Sequence, residues 1–411
     1  MNILFLSDNF PPEGNAPATR LFEHATRWIE KGHQVTVITC VPNFPEGKVF
    51  EGYKNRLYQV EMMSGIKVVR VKTYITANEG FLKRTLDYIS FMFMGFFAGL
   101  FQKRPDIIVA TSPQFFCAIG GWMLSVVRRR PFIFELRDLW PASIKAVGAM
   151  EDSLLIRVFE RIELFLYHRS DRIISVTHAF KKELVERGVL AEKIDVITNG
   201  VDLTKYAPAD EKDPELAEQY NLKDKFVVGY VGTHGMAHAL DKVVDTAELL
   251  QHEKDIVILF AGGGAARTAI EEQVAAKKLK NVCLIPRQPK EMMPRLWSLC
   301  DVSLIHLKNN PVFKTVIPSK LFESMGMGLP VLVGVPEGEI TGIVEKCDCG
   351  INIEPENAQQ MSQAILDLYR NPGLMANYRK NSLSCAPKYS REALAHDMLI
   401  SFEAALEGSV E

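Results

Sequence analysis

The sequence lacks the signals of several classes of protein. Its 411 residues carry 48 Lys and Arg against 50 Asp and Glu, and a chain so evenly charged is not expected to bind nucleic acid broadly. No basic region precedes an apolar core in residues 1–14, so we expect no signal peptide and a cytoplasmic location. Seven scattered cysteines predict buried thiols. Cys347 and Cys349 have no second pair with which to form a zinc site.

The sequence also lacks an apolar run long enough to cross a bilayer, which takes about 20 residues. One strongly apolar stretch without charge is "YISFMFMGFFAGLF", residues 88–101, with Lys83 and Arg84 before it and Lys103 and Arg104 after it. One interpretation is a helix buried against a parallel sheet. The other is a helix in the lipid interface, with its basic flanks at anionic headgroups.

Short runs rich in Val and Ile recur along the whole chain, separated by helix-length segments. Continuous rather than alternating hydrophobicity indicates strands covered on both faces. The pattern predicts two doubly wound, Rossmann-like parallel sheets that face each other across a cleft. This alternation of apolar runs and helix-length segments stops in the polar stretch 202–225, so we predict domains at 1–200 and 201–385. The segment 386–411 is predicted to form a closing helix that packs back on the first domain.

Two strands of the second half are followed by loops rich in glycine. "GYVGTHGMAHALD" contains Gly232 and Gly235, with His234 and His238 inside the loop. Glycine allows a tight turn, and the helix that follows presents free amides to a phosphate. The motif is weak by itself, because any turn from strand to helix favours glycine.

"LFAGGGAARTAIEEQV" repeats the pattern, with Arg267 in the first turn of the helix. A cation at that position opposes the helix dipole, so an anion would stabilise it. The alternative is a solvated arginine that pairs with Glu271, four residues on.

The stretch "PSKLFESMGMGLP" predicts a helix that begins at Ser319 or Lys320, with Ser319 as its N-cap. Lys320 is unfavourable in a first turn unless an anion lies there. Ser319, Lys320 and Glu323 share a face. They suit a nucleotide, with Lys320 at a phosphate and Glu323 at the ribose hydroxyls. The alternative is a surface pair between Lys320 and Glu323, with Ser319 as a plain cap.

Six stretches occur in the order typical of retaining GT-B glycosyltransferases of family 4. They are "NFPPEGNAPATRLFEHATRWIEKGHQVTVIT", "ITNGVD", "YVGTHGMAHALD", "AGGG" with Arg267, "RQPKEMMPRLWSLCDVSLIHL" and "PSKLFESMGMGLPVLVG". "LRDLWP" and "IPSKLFE" resemble the branch that builds bacterial O-antigens and capsules, which includes N-acetylfucosaminyl transferases. The resemblance covers nearly the whole chain.

This resemblance implies that the second domain binds a UDP-sugar. Glu323 matches the ribose-binding glutamate of the family's E-x7-E motif, the Gly232 loop and Lys320 would face the diphosphate, and the Arg287 segment would border the base. The expected donor-binding residues are Gly232, Thr233, His234, Arg267, Arg287, Thr315, Ser319 and Glu323, and the expected catalytic residues are Asp138, Lys320 and His238.

In the first domain, the resemblance places Gly14 and Asn15 in a loop at the phosphates and the acceptor. Arg20 and Asn199 are assigned to the same side, and Asp138 to a loop at the reacting sugar.

The sequence departs from the family pattern at three positions. Thr315 stands where the first glutamate of E-x7-E is expected, His238 replaces a basic residue, and Arg137 replaces a histidine. A donor that lacks a hydroxyl, such as an N-acetylated 6-deoxyhexose, would be consistent with Thr315.

The implied reaction is transfer of a sugar with retention at the anomeric carbon, in which the leaving phosphate accepts the proton of the acceptor. It would need electrostatic stabilisation and no metal or other cofactor. The implied acceptor is a saccharide on a polyprenyl diphosphate, reached at the inner face of the cell membrane through residues 83–104. The main alternative is a UDP-sugar 2-epimerase of the same fold. An oxidoreductase would need G-x-G-x-x-G after the first strand, where "SDNFPPEGNAP" stands.

Overall fold

The chain forms two compact units in the computed structural model. Unit 1 comprises Met1–Thr198 and Glu392–Glu411, and unit 2 comprises Asn199–Arg391. The first unit therefore ends two residues before the predicted boundary, and it recruits the end of the chain. The residues that the structure describes are 1–76, 81–112, 114–139 and 154–408.

Unit 1 is built on an eight-stranded sheet of order β3-β4-β2-β1-β5-β6-β7-β8, in which every pairing except β3 with β4 is parallel. The central strands are buried on both faces, as their continuous apolar runs predict. The strands are β1 Asn2–Leu6, β2 Gln34–Cys40, β3 Tyr58–Met63, β4 Ile66–Val71, β5 Ile107–Thr111, β6 Phe132–Leu136, β7 Arg172–Ser175 and β8 Ile194–Val196. The helices of this part are α1 Ala16–Glu30, α2 Phe81–Leu100, α3 Phe115–Arg128, α4 Leu154–Arg169 and α5 His178–Glu186.

Strand β3 is the element of this sheet that the sequence reading did not predict. It pairs antiparallel with β4 at the edge of the sheet, and exposed Tyr58, Val60 and Met62 alternate with half-buried residues. Ser64 and Gly65, at φ 49° and 81°, form the two-residue turn between the strands. A half-exposed edge strand has no continuous apolar run, so the pattern used for the parallel strands did not detect it.

Helix α2 contains most of the apolar stretch 88–101, and it is buried on one face only. Phe91 and Ala98 pack into the core of unit 1, whereas Phe97 is 52% exposed and Phe101, just beyond the helix, is 82% exposed. The helix therefore packs on the sheet through one face and is exposed on the other, and its contact with lipid stays a prediction. In the part of the chain that the structure describes, no helix is both long and apolar enough to cross a membrane.

Unit 2 is built on a six-stranded, entirely parallel sheet of order β11-β10-β9-β12-β13-β14. Its strands are β9 Phe226–Val231, β10 Ile256–Ala261, β11 Val282–Ile285, β12 Val302–His306, β13 Val331–Gly334 and β14 Gly350–Ile353. Its helices are α6 Pro214–Gln219, α7 Leu240–Leu249, α8 Arg267–Ala276, α9 Met293–Ser298, α10 Lys320–Gly326, α11 Glu339–Cys347, α12 Ala358–Arg370 and α13 Pro372–Cys385. Apolar clusters cover both faces of the sheet.

The last helix, α14 Arg391–Glu407, packs on unit 1. Leu394, Met398 and Phe402, which recur at four-residue steps, lie in the same apolar cluster as Trp28 of α1. The indole Nε1 of Trp28 donates a hydrogen bond of 2.9 Å to the carbonyl of Ala395. The apolar face of the closing helix is therefore buried in the core of unit 1.

Two cysteines do not fit the prediction of seven buried thiols. Cys347, at the end of α11, and Cys385, at the end of α13, form a disulfide with their Cα atoms 5.9 Å apart. The prediction was wrong for this pair because helix packing joins residues 38 positions apart in sequence, and no local spacing signals such a contact. The other five cysteines are free thiols: Cys40, Cys117, Cys283, Cys300 and Cys349.

Candidate functional site

The two glycine loops of unit 2, which follow β9 and β10, are joined by hydrogen bonds between their backbones. The amide of Gly232 donates to the carbonyl of Ala261 at 2.8 Å, and the amide of His234 donates to that of Gly263 at 2.9 Å. Gly262 has φ +146°, and a Cβ there would lie 1.9 Å from the carbonyl oxygen of Gly232. Glycine is therefore required at residue 262, because the two backbones touch.

Lys320, in the first turn of α10, is a buried cation at these loops. The residue is only 9% exposed, and its Nζ has no hydrogen-bond partner among the described residues. The Nζ lies 3.6 Å from the ring centroid of Tyr230, and a Cβ on Gly232 would lie 3.4 Å from it. Burial lowers the pKa of Lys320 to about 7, although Glu323 opposes the shift. A buried ammonium group is costly to desolvate, and a bound anion would compensate its charge.

Two histidines of the first glycine loop are neutral at pH 7 in this environment. His234 is fully buried, and neither ring nitrogen has a hydrogen-bond partner among the described residues. Burial, together with the positive charges of Arg267 and Lys320, lowers its pKa to about 4. Burial and Lys320 likewise lower the pKa of His238 to about 4. The loop is thus electropositive, which is the surrounding that an anionic ligand requires.

The proton position on His238 follows from a third histidine, which the sequence reading did not single out. The amide of Glu356 donates to Nε2 of His306 at 3.0 Å, so the proton of neutral His306 is on Nδ1, which donates to the carbonyl of His238 at 2.8 Å. His238 places its own Nδ1 3.3 Å from the carbonyl of His306. Neutral His238 therefore carries its proton on Nδ1 and has a lone pair on Nε2.

Glu323 lies one turn further along α10 and is oriented by Trp297 of α9. The indole Nε1 donates to Oε2 of Glu323 at 3.1 Å, and Trp297 is completely buried. Burial raises the pKa of Glu323, whereas Trp297, Lys320 and Lys290 act in the opposite direction. Trp297 and Lys290 belong to the stretch "RQPKEMMPRLWSLC" that the sequence analysis marked, but their proximity to Glu323 is a tertiary contact.

Ser319 does not cap α10 in the predicted way. It precedes the helix, but its side chain makes no capping hydrogen bond, and its backbone is already helical at φ -58° and ψ -28°. A capping residue is normally extended, so the hydroxyl is not positioned to accept an amide of the first turn. It interacts with the carboxylate of Glu323 instead.

Arg267 forms the pair that was the alternative to an anion contact. Its Nε lies 2.5 Å from Oε1 of Glu271, and its Nη1 donates to the carbonyl of Ile285 at 3.1 Å. The guanidinium group still contributes positive potential at His234. The contacts with Glu271 and Ile285 therefore hold the Arg267 side chain in place beside the glycine loop.

The remaining predicted donor-binding residues lie in loops of unit 2. Thr233 and Arg287 are exposed, and the Cβ of Arg287 lies 3.5 Å from the position that a Cβ on Gly263 would take. Thr315 is half-buried at the end of a short 3-10 turn, where its hydroxyl donates to the carbonyl of Val312 at 3.4 Å.

Unit 1 contains a cavity of about 230 Å³ at the carboxyl ends of β1, β2 and β5. Asn15 lines it and caps α1, since its Oδ1 accepts from the amide of Ala18 at 3.0 Å and its Nδ2 donates to Asn9 at 2.7 Å. Gly14 is exposed beside it. The backbone amide of Asp138 lies 3.3 Å from the hydroxyl of Ser112, which lines the cavity.

Arg20 and Asn199 do not line this cavity. Arg20 is 1% exposed, and its guanidinium group is bonded to Glu135 at 3.0 Å and to the carbonyls of Ile197 and Thr198. Its charge is therefore paired within unit 1, and its side chain connects α1 to β6 and to the segment after β8. Asn199 is half-buried and is the first residue of unit 2. Within the described residues, no group of three His, Cys, Asp or Glu is arranged to hold a metal ion.

Solved structures define the class of protein to which this architecture belongs. The protein aligns with Anabaena HepE in complex with UDP-glucose at a TM-score of 0.69 and 17% identity, over 98% of this chain and 100% of that one. It aligns with sucrose-phosphate synthase of Thermosynechococcus elongatus at 0.75 and 16%, over 99% of both chains. The fold is that of a GT-B glycosyltransferase.

Family models identify the two halves of the chain. Residues 18–205 match Glycosyltransferase Family 4, and residues 212–384 match Glycosyl transferases group 1. WcaI of Escherichia coli K12, named for colanic acid biosynthesis, is 25% identical over 89% of this chain and 91% of its own length. The chain belongs to glycosyltransferase family 4, and it is a hexosyltransferase.

Proposed function

We propose that the protein transfers a sugar from a UDP-sugar to a lipid-linked saccharide during synthesis of a bacterial surface polysaccharide. The observation that carries the donor assignment is Lys320, a buried ammonium group beside the two glycine loops whose Nζ has no hydrogen-bond partner among the described residues. A diphosphate would supply the missing negative charge. The HepE structure that this fold resembles contains UDP-glucose, and the name of WcaI supports the polysaccharide context.

The proposed donor orientation follows from α10. Lys320 would bind the diphosphate, while Glu323, already fixed on one side by Trp297, would accept hydrogen bonds from the two ribose hydroxyls. Arg287 would border the base from the adjacent loop. This arrangement requires the nucleotide to follow the first turn of the helix, where the amides and the dipole favour an anion.

The proposed reaction is a displacement with retention of configuration. The bond from the anomeric carbon to the β-phosphate oxygen breaks, the bond to the acceptor oxygen forms on the same face, and the acceptor proton passes to the departing phosphate oxygen. Charge on the diphosphate grows in the transition state, so Lys320 would stabilise that state more than the bound donor. His238 would add to this effect only after it takes up a proton on Nε2, and Asp138 would act from the acceptor side.

The decisive experiment supplies the purified protein with UDP-glucose, UDP-N-acetylglucosamine or UDP-N-acetylfucosamine and a bacterial membrane extract. We expect one of the three sugars to appear on lipid-extractable material together with free UDP. The Lys320→Met variant should lose this transfer, whereas Lys223→Met, at an exposed position of unit 2, should keep it. Conversion of the UDP-sugar to its 2-epimer without transfer would instead support the epimerase alternative.

The lipid-linked acceptor implies contact with a membrane surface, and we propose that α2 and the β3–β4 hairpin provide it. They form an apolar groove of about 530 Å³, and Leu57, Phe97 and Phe101 on its rim are 67%, 52% and 82% exposed. Lys103 and Arg104 follow at the same end of α2 and are exposed. Apolar burial and attraction to anionic headgroups would act together.

Co-sedimentation with vesicles that contain phosphatidylglycerol tests this contact. Replacing Lys103 and Arg104 by Ser should weaken binding by about 2 kcal/mol, at about 1 kcal/mol for each basic residue near an anionic surface. The matched control changes exposed Arg157 and Lys182 to Ser and should leave binding unchanged. Equal binding of both variants, or no binding by the unaltered protein, would remove this part of the proposal.

A further inference from the structure

His306 is a completely buried imidazole at the end of β12, and the proposed reaction does not use it. Its ring lies against the backbone of Gly334 on β13, where a Cβ would come within 2.6 Å of Cδ2. Its Nε2 accepts from the amide of Glu356 at 3.0 Å, and its Nδ1 donates to the carbonyl of His238 at 2.8 Å. Because both ring nitrogens are bonded to backbone groups, the side chain holds segments of the chain together and is not available to a ligand.

The segment at the end of β12 is joined to the end of the first glycine loop by three hydrogen bonds. Two of them form a reciprocal contact, in which Nδ1 of His306 and Nδ1 of His238 each lie at the carbonyl of the other residue, at 2.8 and 3.3 Å. In the third, the amide of Lys308 donates to the carbonyl of Ala237 at 2.9 Å. Ala239, two residues further on, has φ 43°, a left-handed conformation that is unfavourable for alanine. A strained residue persists only where its surroundings fix it, so the loop depends on these contacts for its shape.

The loop held in this way places the ring of His238 beside Lys320. The Nζ of Lys320 lies 3.6 Å from the centroid of the Tyr230 ring, and the ring of His238 meets the same aromatic ring edge to face at a centroid distance of 5.7 Å. A Cβ on Gly235 would lie 3.6 Å from Nε2 of His238, so this nitrogen faces a residue that has no side chain to cover it. His238 is half-buried, and its Nε2 forms no hydrogen bond to a described residue. This nitrogen is therefore left for a ligand next to the lysine.

The position of the proton on His238 decides which atoms of a ligand can bind its Nε2. With the proton on Nδ1, Nε2 offers a lone pair and accepts a hydrogen bond. The titratable groups that act on His238 are Lys320 and His306, and burial and the charge of Lys320 lower the pKa of His238 to about 4, so the ring is neutral at pH 7. The diphosphate of a nucleotide sugar carries no proton at this pH and has no hydrogen to donate. Hydroxyl and amide groups of a sugar do have one.

We propose that His306 is a positioning residue that fixes His238 as a hydrogen-bond acceptor, and that His238 recognises a hydroxyl or amide group of the transferred sugar. The inference rests on the proposed function, because it assumes that Lys320 binds the diphosphate of a UDP-sugar. The sugar is covalently linked to that diphosphate, so its polar groups come next to the lysine and its neighbour His238. At pH 7 this role replaces the phosphate contact that the family resemblance implies for position 238, and it makes the two histidines determinants of donor specificity.

Two substitutions of His306 separate its hydrogen bonds. The side-chain amide nitrogen of asparagine can take the place of Nδ1, so His306→Asn can keep the donor to the carbonyl of His238. The longer side chain of glutamine carries its polar atoms near the place of Nε2, so His306→Gln keeps the contact with Glu356 and loses the donor to His238. Both variants remove a buried ring, and chemical denaturation should show a similar loss of stability in the two.

Calorimetry on the full chain at pH 7 compares UDP with UDP-glucose, UDP-N-acetylglucosamine and UDP-N-acetylfucosamine. We expect UDP to bind equally to the unaltered protein and to both variants of His306, because the histidine pair does not contact the nucleotide. At least one of the UDP-sugars should bind to His306→Asn as it does to the unaltered protein. The same UDP-sugar should bind to His306→Gln about threefold to tenfold more weakly, the usual scale for the loss of a neutral hydrogen bond.

A double substitution distinguishes positioning from general support of the fold. In a His238→Ala background, His306→Gln should have no further effect on UDP-sugar affinity, since a positioning residue acts through the residue that it positions. NMR of the imidazole nitrogens provides a second readout. His238 should carry its proton on Nδ1 in the unaltered protein and in His306→Asn, and should become a mixture of tautomers in His306→Gln. His252→Gln, at an exposed histidine of unit 2, is the matched control and should leave every measurement unchanged.

The possible outcomes separate this inference from the proposed donor site. If UDP binds and His306→Gln keeps the UDP-sugar affinity of the unaltered protein, or if its effect persists in the His238→Ala background, the inference fails and the diphosphate site stands. An equal loss of UDP and UDP-sugar affinity in His306→Gln would overturn the inference as well, because His306 would then only support the loop. Failure of the unaltered protein to bind UDP would instead refute the proposed donor, and the inference with it.

Discussion

The Lys320 site of unit 2 and the Asp8 cavity of unit 1 occupy equivalent places in the fold and have opposite charge. Both lie at the carboxyl ends of parallel strands, where open α/β sheets bind their ligands. In unit 2 the buried charged group is the ammonium of Lys320, which has no hydrogen-bond partner in the part of the chain that the structure describes. In unit 1 the buried groups are carboxylates, Asp8 and Asp87, which line the cavity together with the amide of Gln114. The common fold therefore fixes where a ligand binds, and the side chains determine which ligand.

Burial has opposite effects on the two sites because it always favours the neutral form. It lowers the pKa of Lys320 to about 7 and raises that of Asp8 to about 7. Both groups thus sit near the middle of their titration at physiological pH. An anion would restore the charge of the lysine, whereas an uncharged ligand would leave the acids free to share a proton. Because the two sites use different groups in different units, we expect a mutation in one site to leave ligand binding at the other unchanged.

The largest expected effect is that of Gly262→Ala. The added Cβ would collide with the carbonyl of Gly232, and φ +146° is unfavourable for alanine, so we expect the free energy of unfolding to fall by about 3 kcal/mol or more. UDP binding should be lost, because the two glycine loops lie beside Lys320. Chemical denaturation and calorimetry measure both effects. Gly342→Ala on α11, where a Cβ meets nothing within 4 Å, is the control, and equal behaviour of the two variants would refute the interlocked loops.

Lys320→Met should lower kcat by about 100-fold to 1000-fold, the range seen when one donor to a developing oxyanion is removed. Its effect on UDP affinity should be smaller, because the lysine acts mainly on the charge that grows in the transition state. Steady-state kinetics with the identified donor, together with calorimetry on UDP, separate the two quantities. A proportionate loss of both would mean that Lys320 only binds the ground state.

Glu323→Ala should weaken UDP binding by about 2 to 4 kcal/mol, since a carboxylate that accepts two hydroxyl hydrogen bonds would be lost. The specific readout is discrimination between UDP and 2'-deoxy-UDP, which the unaltered protein should show and the variant should lack. Glu272→Ala, at an exposed position on α8, is the control. Preserved discrimination in Glu323→Ala would place the ribose elsewhere.

The smallest effect concerns pH. Free Lys320 has a pKa near 7, and a bound diphosphate would raise it, so UDP affinity should be highest below pH 7. Above that value it should fall by up to about tenfold per pH unit, because binding must then take up a proton. Calorimetry in buffers of different ionisation enthalpy would detect the uptake. Lys320→Met should flatten the profile, and an unchanged slope in that variant would assign the titration to another group.

Several features of both units could be predicted from local sequence. Continuous Val-rich and Ile-rich runs indicated the parallel strands because a strand covered on both faces has no polar side. The four-residue repeat of Leu394, Met398 and Phe402 indicated the closing helix. Glycines after β9 and β10 marked the loops, and the spacing of Lys320 and Glu323 placed them on one face of α10.

Other features depend on contacts between residues far apart in sequence, and no pattern along the chain reports them. The disulfide of Cys347 and Cys385, the edge strand β3 and the burial of Arg20 against Glu135 belong to this group.

The sequence by itself determined the order of the parallel strands, the closing helix and the chemical type of each candidate residue. Only the tertiary structure decided which of these residues retain an unsatisfied charge or polar atom. Lys320 and Arg267 are both cations in the first turn of a helix that follows a loop. Arg267 pairs with Glu271, whereas Lys320 lies against the ring of Tyr230 and makes no hydrogen bond to any described residue. The physical reason is that desolvation and hydrogen-bond satisfaction depend on what surrounds an atom in three dimensions, and sequence spacing fixes only the neighbours on the same element.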